Sequence, residues 1–257
     1  MKLLNISVFA LGLACAGIAA AAPSAQEILA ASDAVRNPNK PFSLTNKLIE
    51  YRNGKESGSM TLAIYAKAEA VGGQYRNLVR FVAPARDANK LMLKSGNDLW
   101  FYDPSSKASI RLSPQQRLLG QAANGDVVTV NLSKDYTAKL VAEEDMQDGD
   151  RQMRHCYKLS LSASTPDVTY HSIELWIDTS NSRPIKGRFY TESGKLLKTA
   201  YYRRYQPQLG VERPTETVII DGLDPSWVTV MRYSDWAWRD VPDAWLQRDY
   251  LPRFKPE

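Results

Sequence analysis

Cysteine is nearly absent from this 257-residue chain, which has only Cys15 and Cys156. Cys15 sits in an N-terminal apolar stretch, so one thiol remains for the body of the protein. No internal disulfide can staple the fold, and the core must hold it alone. Histidine is equally scarce, with His155 and His171. His155 and Cys156 are neighbours, and neighbours on a strand face opposite ways, which suits neither a shared metal nor a nucleophilic pair. Gly-x-Ser-x-Gly, a phosphate-cradling glycine loop and His-Glu-x-x-His are all missing. No metal, no cofactor and no catalytic residue is expected, although a carboxylate pair dispersed along the chain stays open as a hydrolytic alternative. A strong charge excess is also lacking. Lys and Arg number 33 against 28 Asp and Glu, a net +5 spread over the whole length. That balance does not indicate nucleic acid, and it favours anionic lipid head groups or an acidic partner face. Beyond the N-terminus no run approaches the ~20 apolar residues of a membrane span.

The N-terminus itself reads as an export signal. Lys2 gives a positive start, Leu3 to Ile18 are mostly apolar, and Ala19-Ala20-Ala21 offers the small side chains a signal peptidase requires. Cleavage is expected before Ala22, because Pro23 directly after the cut would hinder the enzyme. Gly12 stands three positions before Cys15, where lipoprotein signals carry a Leu-like residue, so lipidation of Cys15 is disfavoured. Residues 1–21 are therefore read as a signal peptide and residues 22–257 as one soluble periplasmic domain, monomeric by expectation.

After the signal, Ser24 can cap a helix running to about Arg36, with Ile28, Leu29 and Val35 on one face. Asn37-Pro38-Asn39-Lys40-Pro41 stops it. From Phe42 the pattern is short strands: 42–52, 58–68, 75–83, 90–95, 98–103 and 107–112. A second series covers 136–143, 152–162, 169–178, 184–191, 195–205, 214–220 and 227–235. Turn signals such as Asn53-Gly54, Gly72-Gly73, Gly96-Asn97, Asp148-Gly149 and Ser193-Gly194 separate them. Dense hairpin signals imply an antiparallel sheet with one apolar face. Met60, Leu62 and Ile64 alternate with Thr61, Tyr65 and Lys67; Leu159 and Leu161 with Lys158 and Ser160; Ile173, Leu175 and Ile177 with Glu174 and Trp176. Leu91 and Leu93 alternate with Met92 and Lys94. Such a sheet must curl or be covered. Pro114 to Gln121 suggests a short helix, and Ala122 to Asp135 suits either a helix or a strand.

Other clusters have plain readings. Glu143-Glu144-Asp145 and Asp148-Gly149-Asp150 lack the distant Glu of a calcium loop and suit a solvated hairpin tip. Cys156 reads as a packed strand residue. Tyr201-Tyr202-Arg203-Arg204-Tyr205 interleaves aromatic and basic residues, which cross-strand packing explains in an exported protein. Trp227, Trp236, Trp238 and Trp245 near the C-terminus suit either a lipid boundary or the anchoring of a terminal segment.

One stretch carries a resemblance. Leu91-Met-Leu-Lys-Ser-Gly-Asn-Asp-Leu-Trp-Phe-Tyr-Asp-Pro104 is similar to the "DGxxLWxYxP" hairpin of the LolA family of periplasmic lipoprotein carriers. Tyr75-Arg76-Asn77-Leu78-Val79-Arg80-Phe81 with Pro84 resembles the arginine-bearing strand of that family. Gly125-Asp126-Val127, Asn131-Leu132-Ser133 and Asp135-Tyr136 resemble a longer subgroup of outer membrane lipoprotein-sorting proteins. The resemblance runs over roughly residues 58 to 245. It implies a mainly β fold, a half-open antiparallel barrel closed by helices around a cavity for acyl chains, and no catalysis. Burial of each methylene yields about 0.8 kcal/mol, so an apolar cavity is itself the working part.

On that footing the expected cavity residues are Leu62, Ile64, Val79, Phe81, Leu91, Leu93, Leu99, Phe101, Leu159, Leu161, Ile173, Leu175 and Ile177. Arg80 is expected to hold the lid, and Trp100 and Tyr102 to lie at the rim. Leu93→Glu is then expected to cut acyl binding while leaving the fold intact. The resemblance implies lipid or lipoprotein acyl chains as cargo. It also implies an inner-membrane lipid-exporting permease of the resistance-nodulation type and an outer-membrane acceptor as partners. The alternative is an interaction module that docks on an envelope transporter through its aromatic C-terminal tail.

Overall fold

A computed structural model describes residues 22–69 and 73–255. Residues 1–21, read from the sequence as an export signal and holding Cys15, and Gly72 of the Gly72-Gly73 turn lie outside the described residues. Helix α1 (Ala25–Arg36) opens on the expected cap. The Glu27 amide donates to Ser24 Oγ at 3.3 Å, and the Ser24 amide donates to the Glu27 carboxylate at 2.8 Å, a reciprocal capping box. Ile28 and Leu29 turn inward, and the helix ends at Asn37, just before Pro38.

The strands follow as two antiparallel meanders. The first comprises β1 (Phe42–Arg52), β2 (Lys55–Ala68), β3 (Tyr75–Ala83), β4 (Leu91–Ser95), β5 (Asp98–Asp103) and β6 (Ala108–Arg111). Between the meanders lie β7 (Arg117–Leu119), β8 (Ala122–Ala123) and a single helical turn, α2 (Leu132–Asp135). The second comprises β9 (Tyr136–Gln147), β10 (Met153–Ala163), β11 (Ser172–Asp178), β12 (Pro184–Tyr190), β13 (Leu196–Gln208), β14 (Val211–Asp221) and β15 (Trp227–Trp238). β1 pairs with β15, in a register that sets Leu48 against Met231, and this joins the meanders into one 13-stranded sheet. The sheet is curled and not closed into a barrel, as the alternation implied.

This topology creates its own cover. β6 and β9 are the two free edges of the sheet, so the chain between them must travel from one edge to the other. Residues 112–135 make that crossing over the concave face, beside α1. The short helix expected over Pro114 to Gln121 does not form. A turn and the β7–β8 ribbon replace it, with Gly120 at φ +55°. A Cβ there would lie 2.3 Å from Thr229 Oγ1, so the ribbon reaches the sheet only through a glycine. The ambiguous stretch from Ala122 resolves into single turns, at Asn124–Asp126 and α2, with no long element.

Two cores result. The large one lies on the concave side, between the sheet, α1 and the cover. The smaller lies on the convex side of β2 to β5, where the C-terminal segment folds back as two 3-10 turns, Asp243–Leu246 and Arg248–Arg253. Among the described residues no helix is long and apolar enough to cross a membrane.

Candidate functional site

The concave face holds most of the residues chosen from the alternation. Leu62, Ile64, Val79, Phe81, Leu99, Phe101, Leu159, Leu161, Ile173, Leu175 and Ile177 all pack in the large core. Most of them are close-packed. The space left under the cover forms adjoining lobes, in which Ile64, Ile173 and Leu99 respectively form part of the wall. The first lobe, about 90 Å3, lies between Phe42, Leu44, Ile64, Trp236 and the cover residues Val127 to Val130. The second, about 100 Å3, lies over Ile173, Phe189, Ala200, Ile219 and Met231. Arg36, Asp126, Val128, Val130, Tyr202, Thr217 and Tyr233 border both. A third, about 20 Å3, leads past Leu99 and Val168 towards the seam between the sheet edges. Wider clefts flank the β10–β11 loop, one of about 440 Å3 against residues 111–115 and one of about 410 Å3 against Gln115 and the β12–β13 turn. Since an apolar cavity of about 150 Å3 takes one benzene, lobes of this size are too small for an acyl chain.

Five expected site residues belong elsewhere. Leu91 and Leu93 face the convex side and pack with Tyr65, Leu78 and the tail residues Val241, Trp245, Leu246 and Leu251. The period-2 reading of this strand was sound, but its faces were exchanged: Met92, fully buried, is the residue that points into the concave core. Trp100 and Tyr102, paired across from Leu93 and Leu91, follow them to the convex side, where Arg248 lies 3.9 Å over the Trp100 ring. Both strands have apolar residues on two faces because both faces are covered, so hydrophobicity alone could not choose. Arg80 shares the convex face with Leu78, and its guanidinium donates to Asn89 Oδ1 at 3.4 Å, away from the cover. It is no lid residue.

Other side chains hold the cover. Asn77 of β3 exchanges two hydrogen bonds with the Thr129 backbone, accepting from its N–H at 2.9 Å and donating to its carbonyl at 3.0 Å. Gln74 does the same with Asn131, at 2.8 and 3.1 Å. Lys198, on β13, donates to the Asp126 carboxylate and to the Gln121 carbonyl. Arg213, on β14, donates to the Ala34 and Val35 carbonyls at the end of α1, at 3.3 and 2.8 Å. Asp33 ties α1 to the cover, accepting from the Leu132 and Ser133 amides at 3.0 and 2.8 Å. Burial pushes both the Lys198 ammonium and the Arg213 guanidinium below their usual ranges, with Asp126 opposing the shift at Lys198. Gly125 sits so close to the β10–β11 loop that a Cβ would meet Thr169 Oγ1 at 2.0 Å. Little in the sequence marked these residues, because polar side chains inside strands and turns look alike whether they bond solvent or a cover.

The remaining clusters are structural. His155 is exposed and bonds Asp145 at 2.7 Å, which raises its pKa. Cys156 is buried against Trp176 and Ile185, and burial pushes its thiol up to about 12. Asp148 organises the hairpin tip, accepting from the Asp150 and Gln152 amides. Among the described residues no group of His, Cys, Asp and Glu could hold a metal. Of the four C-terminal tryptophans, Trp227, Trp236 and Trp238 belong to β15, and Trp245 lies in the tail, buried against the convex face of the sheet. Trp245 thus anchors the tail to the sheet, while Trp238 stays 46% exposed at the end of β15.

The fold is that of a known superfamily. The chain is similar to a LolA superfamily protein from Nitrosomonas europaea, at 34% identity over 89% of this chain and 100% of that one, with a TM-score of 0.80. It thus belongs to the LolA superfamily. A family model described only as "-like: Uncharacterized protein" matches residues 73–253. A proposed outer membrane lipoprotein-sorting protein domain from Vibrio parahaemolyticus shares the fold, at 19% identity over 89% of this chain and 98% of that one, TM-score 0.75. So does a DUF1329 family protein from Desulfovibrio piger, at 19% identity over 88% and 97%, TM-score 0.75. No curated protein matches the chain.

Proposed function

We propose that the protein is a non-catalytic periplasmic carrier that shields acyl chains of lipids or lipoproteins beneath its cover. The observation that carries this reading is the construction of that cover. It spans an apolar concave sheet, borders small lobes, buries Val127, Val128 and Leu132 in the core, and is tied to the sheet by side-chain hydrogen bonds, each worth only about 0.5–1.5 kcal/mol net. Such contacts are exchangeable. Lifting residues 112–135 with α1 joins the lobes into one trough along Leu62, Ile64, Leu159, Leu161, Ile173 and Leu175. Each methylene buried there returns about 0.8 kcal/mol, so a chain of ordinary length offsets the lost bonds. The seam between β6 and β9 is the route in, and release follows when the cover closes again.

Membership of the superfamily supports the class, and the export signal over residues 1–21 supports the compartment. An inner-membrane permease of the resistance-nodulation type and an outer-membrane acceptor would supply and receive the cargo. Native mass spectrometry of the protein purified from a bacterial periplasm, followed by organic extraction, tests the reading. A stoichiometric lipid adduct is expected. A clean apo mass that persists after incubation with envelope lipids and an acylated peptide would overturn it.

A further inference from the structure

The junction of the two larger lobes is not lined as a plain hydrocarbon tunnel would be. It is bordered by Arg36, Asp126, Tyr202, Thr217 and Tyr233, with Val128 and Val130 above. Its charges cancel locally. Arg36 is paired with Asp33 at 2.5 Å, and Asp126 is paired with Lys198 and accepts from the Tyr170 hydroxyl at 2.8 Å. With both cations and both carboxylates matched, an ionised ligand group brought to this depth would find no counter-charge. The part of any ligand that reaches the junction must be neutral.

One neutral group there lacks a partner. The Tyr202 hydroxyl makes no hydrogen bond among the described residues, although its ring is packed against the core. Tyr233, beside it, donates to Thr217 Oγ1 at 3.3 Å and is occupied. Burial raises the pKa of Tyr202, so the hydroxyl stays protonated and able to donate. Trp236, in the wall of the first lobe, likewise has an enclosed indole N–H with no acceptor among the described residues. Such an enclosed donor is rare and costly in folded proteins, and the half-buried Tyr202 hydroxyl beside the same space is a second donor with none of its bonds made among the described residues. A tunnel selected only for alkyl chains would carry Phe at such positions.

Resting on the carrier reading, we infer that the cargo is an acyl chain bearing a neutral oxygen along its length, a hydroxyl or an ester, and that Tyr202 donates to that oxygen. Octadecanoate is the unsubstituted reference, and octadecanoates hydroxylated at carbon 3, 10 or 12 are the matched probes. Their competition against a fluorescent fatty acid on the mature protein measures the preference. At least one hydroxylated chain is expected to bind about 5- to 10-fold tighter than octadecanoate, the gain one buried neutral hydrogen bond provides. Tyr202→Phe should erase that gain, so that the hydroxylated chains bind no tighter than octadecanoate to the same variant. Equal binding of all chains to the wild-type protein, or a gain that survives Tyr202→Phe, would overturn the inference and leave the carrier reading standing. Failure of every chain to bind would overturn both.

Discussion

β2 to β5 are covered on both sides, and the two covers are built differently. On the convex side the tail is held by apolar burial: Trp245, Leu246 and Leu251 fill the space over Tyr65, Leu78, Leu91 and Leu93. Ring contacts add to this, with Trp245 and Phe254 edge-on at 5.0 Å. On the concave side residues 112–135 combine buried Ala122, Val127, Val128 and Leu132 with polar ties from β3 and β13, over lobes that are not filled. Removing a dry apolar cover exposes its whole area at once, whereas exchangeable hydrogen bonds can be passed to water or ligand. On the carrier reading, the convex cover stays and the concave cover moves.

The largest expected effect attacks the fixed side. Trp245→Ala should lose about 3–5 kcal/mol in urea unfolding, because the indole fills a closed site with little room to collapse. Leu93→Glu belongs with it. Placed in that dry patch, the carboxylate should destabilise the fold severely, contrary to the sequence-based expectation of an intact fold that fails to bind. If a folded Leu93→Glu protein loses only acyl binding, the assignment of faces is wrong. Next comes the cavity itself. Ala200→Leu extends into the second lobe and should weaken acyl binding at least tenfold, with a stability change of no more than about 1–3 kcal/mol. Unchanged binding would place the cargo elsewhere.

A smaller effect is expected at the hinge of the movable side. Arg213→Ala leaves the Ala34 and Val35 carbonyls at the end of α1 without their donor. Amide exchange in α1 and the cover should accelerate while the sheet core is unchanged; acceleration throughout would mean that the covers are not separate units. The smallest lies on the exposed hairpin. Asp145 raises the His155 pKa, so their interaction is present below the unfolded pKa of about 6.5 and lost as pH rises through the folded value. NMR titration should give a folded pKa above that of Asp145→Asn, and equal values would remove the contact.

The strand pattern was legible where Leu159 and Leu161 alternate with Lys158, Ser160 and Ser162 on a face that meets water. It failed for Leu91, Leu93, Trp100 and Tyr102, where a segment more than a hundred residues away dries the second face. The helix cap at Ser24 was readable because its partner, Glu27, is three residues on. The cover was not, since its shape depends on Asn77, Lys198 and Arg213, which lie far from it in the chain. Tyr202 was grouped with its neighbours as packing. Only the register of β13 beside β14, which sets it against Thr217, turns it towards the cavity.

Hydrogen exchange by mass spectrometry, with and without a bound acyl lipid, compares the two covers in one experiment. Peptides from α1 and residues 112–135 should change protection on binding, while those from 241–254 stay the same. Lipid binding that alters the C-terminal segment and leaves 112–135 untouched would contradict the assignment of the movable cover.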